Sequence, residues 1–148
     1  MKQSKTERLS SSTAVILGII ADKQALLRSP AAPTNVSVLA GHRWRLAKAF
    51  YNYRWFIKSK LGASVGTGQD DARIVAVIVA VDEVNAALRA YVLHWSNGDN
   101  AARWPDYQAA AGATLDEIAA AVRRLSADTA AILHDTAAAA AQRGATAG

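Results

Sequence analysis

The run Ile74–Trp95, IVAVIVAVDEVNAALRAYVLHW, decides the fold. Its opening, Ile74 to Val81, is apolar and mostly β-branched, which suits a buried strand. The wider window reads otherwise. Ile74, Val77, Val81, Val84, Leu88, Tyr91 and Trp95 recur at alternating spacings of three and four, the pattern of a helix packed in a bundle. Asp82, Asn85 and Arg89 fall between them on another face. This is the one place where strand competes with helix, so reading it as helix makes the chain all-α.

The flanks agree. Before it, Ser10-Ser11-Ser12-Thr13 offers N-caps for a first helix to about Arg28, with Val15, Ile16, Ile19, Ile20, Leu26 and Leu27 at helical spacing. Pro30 and Pro33 end it. A second helix is expected from Asn35–Ser37 to Leu61-Gly62, with Gly62 as the C-cap. The link Gly62–Gly68 reads as a hinge, and Asp70-Asp71 caps the third helix, which ends at Trp95 before a turn at Ser96–Asn100. Thr114-Leu-Asp-Glu117 has the form of a capping box and starts a fourth helix. That helix carries Leu115, Ile118, Val122, Leu125 and Ile132 on one stripe and stops near Arg143-Gly144. Alanines 137–141 suit a lightly buried or exposed helix surface. The expected architecture is one domain, residues 1–148, an antiparallel bundle of about four helices with frayed tails at 1–9 and 145–148.

Composition narrows the function. The chain has 148 residues, 51% hydrophobic and 20% charged, a globular balance with enough length for one core. It has no cysteine, which removes disulfides, zinc–thiolate sites and a thiol nucleophile. Lys2, Lys5 and Arg8 precede the apolar run Ala14–Ala21, yet no small-x-small cleavage site follows Asp22-Lys23, so a cytoplasmic protein is expected. No apolar run reaches the ~18–20 residues that span a bilayer. The net charge of +5 is unevenly placed. Lys23 to Gln69 holds eight basic residues and no acid, whereas Asp70 to Gly148 holds ten acids against six arginines. A basic region points to phosphate, an anionic surface or an acidic protein partner, and the acidic half is itself a candidate.

The basic region centres on His42–Lys60, HRWRLAKAFYNYRWFIKSK, with six of the ten aromatic residues and six basic side chains. At ~100° per residue, Leu39, Leu46, Phe50, Tyr53, Ile57 and Leu61 form a core stripe. Trp44, Tyr51 and Trp55 form a second stripe about 140° away, flanked by Lys48 and Lys58, with Arg45 further round. The second stripe has three readings. It is a packing or self-association surface, rich in Trp, Tyr and Arg as interface centres are; or it stacks bases on its rings while Arg45, Lys48, Arg54 and Lys58 meet DNA or RNA phosphates; or it adsorbs to a membrane surface. The first is favoured, and membrane adsorption is the least favoured. The expected function is a non-enzymatic, self-associating binding or assembly protein, with a nucleic-acid-binding accessory protein as the alternative. The contact residues are Trp44, Arg45, Lys48, Tyr51, Arg54, Trp55 and Lys58.

Catalytic chemistry finds little support. The glycine link lacks the Gly-Lys-Ser/Thr of a phosphate loop, and Asp70-Asp71 would repel phosphate there. His42, His94 and His134 are dispersed, without Glu-x-x-His or His-x-x-x-His spacing, so neither a metal nor another cofactor is expected. Asp82-Glu83 and Asp116-Glu117 diverge on their helices, and no Gly-x-Ser-x-Gly elbow occurs. Arg89 and His94 have an R-x4-H spacing that resembles the motif of HEPN-type ribonucleases, which are also helical bundles. The resemblance covers two residues and departs at Ala90, where that family has a polar residue, and at Ser96, where it often has tyrosine. It implies a ribonuclease site on Arg89 and His94. In one continuous helix these side chains point ~140° apart, so a shared site requires a helix break or a dimer cleft.

Overall fold

Each predicted apolar stripe finds a neighbour to pack on. The computed structural model describes residues 4–29, 33–63, 65, 71–96 and 102–146. They form helices α1 (Lys5–Leu27), α2 (Pro33–Gly62), α3 (Asp71–Ser96) and α4 (Trp104–Thr146), and no strand occurs among the described residues. The segment Ile74–Val81 lies within α3. In α2 all six residues of the expected core stripe are fully buried, and in α3 all but the half-buried Val84 of the seven are buried.

Cross-helix pairs fix the topology. Arg8 lies over the Phe56 ring, and Lys23 reaches the Leu39 carbonyl, so α1 and α2 run antiparallel. Arg54 with Asp82 joins α2 to α3, and Arg73 with Asp135 joins α3 to α4. Thr13 with Ser126 and Gln24 with Asp116 close the ring between α1 and α4. The result is an up-down-up-down bundle whose diagonal, α2 to α4, is bridged by Arg43 to Tyr107 and Tyr53 to Ser126.

The helix starts differ from the expectations, and each difference has a local cause. Helix α1 begins at Lys5, not after Ser10–Thr13, because the Ser4 hydroxyl accepts the Glu7 amide at 3.1 Å. Leu9, placed by sequence in a frayed tail, is buried, whereas Val15 is exposed. Helix α2 begins at Pro33, whose fixed φ suits a first helical position. Helix α4 begins at Trp104, so the supposed capping box at Thr114–Glu117 lies inside a continuous helix. Burial of Trp104, Tyr107 and Ala111 draws those extra turns in. Trp104 Nε1 donates to the Ser29 carbonyl at 3.2 Å, and Gln108 Nε2 donates to that of Leu27. The start of α4 thus satisfies carbonyls at the end of α1. At its far end α4 continues to Thr146, past the expected stop, and residues 137–141 are largely exposed. The proposed hinge at Gly66–Gly68 with Asp70, and the turn at Asn97–Asn100, lie outside the described residues.

A polar knot sits inside this core. The Tyr53 hydroxyl lies 2.7 Å from Ser126 Oγ, which lies 2.8 Å from Thr13 Oγ1; Thr13 in turn donates to the Leu9 carbonyl at 2.7 Å. Burial pushes the Tyr53 hydroxyl up to about 12, so it stays protonated and able to donate. Ser126→Ala removes the 2.7 Å partner of the Tyr53 hydroxyl and leaves it the Thr13 hydroxyl and a 3.5 Å approach to the Val122 carbonyl. The expected loss is ~1 kcal/mol of unfolding free energy, the net worth of one intramolecular hydrogen bond, measured by urea denaturation.

Candidate binding face

Helix α2 presents two opposed surfaces. With its core stripe spent on α1, α3 and α4, the second stripe points outward. Trp44 is 75% exposed, and Tyr51 and Trp55 are each 61% exposed. Among the described residues, none buries any of the three. Their positions 44, 51 and 55, with Lys48 between them, keep one helix edge for ~16 Å.

Helix α3 extends this edge. Counting from Asp82 at ~100° per residue, Val75, Val79, Arg89 and Leu93 share its outward side. Val75 and Val79 are each half-exposed and Leu93 is two-thirds exposed. Tyr51 and Arg54 on α2 face Asn85, Arg89 and Leu93 on α3 across a groove floored by Ala47, Leu88 and Val92. Of the seven exposed large apolar side chains described on α2 and α3, six lie along this edge (Trp44, Tyr51, Trp55, Val75, Val79, Leu93), and Val38 lies off it.

The predicted cations divide into two pairs. Arg54 Nε donates to Asp82 Oδ1 at 2.7 Å, and Lys58 Nζ donates to Asp82 Oδ2 at 3.2 Å. The guanidinium hydrogen bond first, and Lys58 second, hold the Asp82 carboxyl below its usual range. Arg45 and Lys48 are exposed and form no ion pair among the described residues. A fifth basic residue of the stretch, Arg43, is not on the surface at all: it is 6% exposed and donates to the Tyr107 hydroxyl at 3.2 Å. Sequence counted its charge toward the basic helix, but the diagonal contact with α4 takes it inside.

Asp82→Asn tests the two-cation clasp. All three side chains are partly exposed, so the expected loss at pH 7 is under ~1 kcal/mol. Because folding lowers this carboxyl's pKa, the contribution is present above its unfolded pKa and fades as pH falls through the folded one. Urea midpoints of parent and variant are expected to converge in acid.

No known protein family, curated protein or solved structure matches the chain.

Its chemistry is therefore read from geometry alone. Arg89 and His94, the pair with ribonuclease-like spacing, stand on one unbroken helix and are both exposed. They do not converge within one chain; the His94 ring instead meets Trp95 edge-on at 4.5 Å. Among the described residues, no three His, Asp or Glu side chains gather as metal ligands. No described helix is long and apolar enough to cross a membrane.

One feature of the bundle was missed by sequence. Lys23 has 0% exposure, deep between α1, α2 and α3. Its ammonium reaches the Leu39 carbonyl at 3.4 Å and lies 5.4 Å from the Tyr91 ring centroid. Burial, and the nearby Arg43 charge, depress its pKa from 10.5 to about 7. The signal was present, since Ile16, Ile20, Lys23 and Leu27 share one helical stripe.

Proposed function

We propose that the protein is a non-enzymatic helical assembly subunit that associates with further copies of itself through the outward face of α2 and α3. The observation that carries this reading is the exposure of Trp44, Tyr51 and Trp55 on one edge, continued by Val75, Val79 and Leu93. Burying a large aromatic or aliphatic side chain is worth ~1.5–3 kcal/mol, so covering this edge supplies a strong drive to associate. Patches of this kind mark interaction sites. Aliphatic residues beside the rings, and Asp82 engaging two of the four cations and offsetting one positive charge, favour a protein partner over a polyanion.

The four tryptophans report on it directly. Trp44 and Trp55 are exposed, whereas Trp95 and Trp104 are each 6% exposed. In dilute solution acrylamide is expected to quench about half of the indole emission easily. At high protein concentration that accessible half is expected to become protected. Unchanged quenching at all concentrations would count against self-association.

A second reading rests on Arg45 and Lys48, the exposed cations without ion pairs among the described residues. Beside open rings, they could hold a single strand by phosphate contact and stacking, with affinity falling steeply in salt. A labelled oligonucleotide titrated across a salt series, with parent and a Lys48→Glu/Lys58→Glu variant, tests it. No shift at low salt removes this reading.

A further inference from the structure

We infer that self-association is head-to-tail: the aromatic edge of α2 on one copy docks into the groove between α3 and α4 of the next. This rests on the assembly reading above and specifies its geometry. A two-fold contact of the α2/α3 face with itself brings the cations Arg45, Lys48 and Arg89 of one copy against the same set of cations on the other. The acid on that face, Asp82, is already held by Arg54 and Lys58. Like charges facing each other across an interface oppose association.

The α3/α4 groove offers the complement. Val84, Ala87, Ile118 and Ala121 line it, small enough to leave room for a ring, and the carboxylates of Glu83 and Glu117 stand at its rims. Both acids are exposed and form no ion pair among the described residues. One turn beyond Arg124, which also borders the groove, α4 adds a third exposed acid, Asp128. Apolar edge meets apolar groove, and Lys48 and Arg45 meet Glu83 and Glu117. Edge and groove are different surfaces of one chain, so the contact is heterologous and generates a ring or an open filament.

Complementation tests the geometry. One variant carries Trp44→Glu and Trp55→Glu, which spoils the edge and spares the groove. The other carries Glu83→Lys and Glu117→Lys, which spoils the groove and spares the edge. All four positions are exposed, and helical circular dichroism checks that both variants fold. Each alone is expected to have the mass of one chain by light scattering. Mixed in equal amounts, they are expected to form a species of two chains and nothing larger, because each contributes one intact surface. If the unmodified chain assembles but the mixture stays at one chain, or the groove variant assembles alone, head-to-tail docking is overturned while self-association stands. If the unmodified chain never exceeds one chain, both proposals fail.

Discussion

Lys23→Met is expected to make the protein more stable at pH 6, by an amount on the order of 5 kcal/mol, the equivalent of the depression of its pKa from 10.5 to about 7. The lysine lies fully inside the bundle, and no described carboxylate pairs with it. Below pH 7 the ammonium is charged in both folded and unfolded chains, and folding bears the whole cost of burying it. Between about 7 and 10.5 the unfolded chain holds the proton and the folded chain does not. The unfolded state then binds more protons, so the parent gains stability as pH rises through that window. Above it both forms are neutral. The variant keeps an unbranched stem of similar shape, has no charge there and shows no such rise. Urea denaturation at pH 6 and pH 10 therefore gives a large difference at the lower pH and a small one at the higher. A variant less stable than the parent at pH 6 would mean that the charge is compensated inside the fold.

The second large effect belongs to the aromatic edge. Trp44→Ala and Trp55→Ala are each expected to weaken self-association at least tenfold, since interface tryptophans at a centre cost ~2 kcal/mol or more when truncated. Unfolding free energy is expected to change little, because both rings are mostly outside the core. That separation is the informative part. A buried core tryptophan such as Trp104 would instead lower stability, through cavity formation and loss of its bond to the Ser29 carbonyl. Lys48→Glu is expected to weaken association as well, and more so at low salt than at high salt. Sedimentation velocity across a dilution series measures all three.

The helices and their inward faces were legible because a 3.6-residue repeat reports burial directly. Leu39, Leu46, Phe50, Tyr53, Ile57 and Leu61 predicted the buried side of α2, and with it the side left outside. What was not legible depends on register between helices. Nothing local says that Asp82 stands opposite Arg54 and Lys58, or that Arg43 reaches across to Tyr107. The start of α4 shows the same limit. Thr114–Glu117 carries a strong local start signal, yet Trp104, Tyr107 and Gln108 find partners on neighbouring helices that outweigh it. The outward apolar residues of α3, Val75, Val79 and Leu93, were readable from spacing once the core face was fixed. They matter because they turn a single basic helix edge into a two-helix surface.

The measurement that bears most directly on the assembly role is the molar mass of the unmodified chain by light scattering over a dilution series. Self-association through the exposed edge predicts a mass that rises above that of one 148-residue chain with concentration and falls back when Trp44 and Trp55 are both replaced. A constant single-chain mass up to the solubility limit would contradict it.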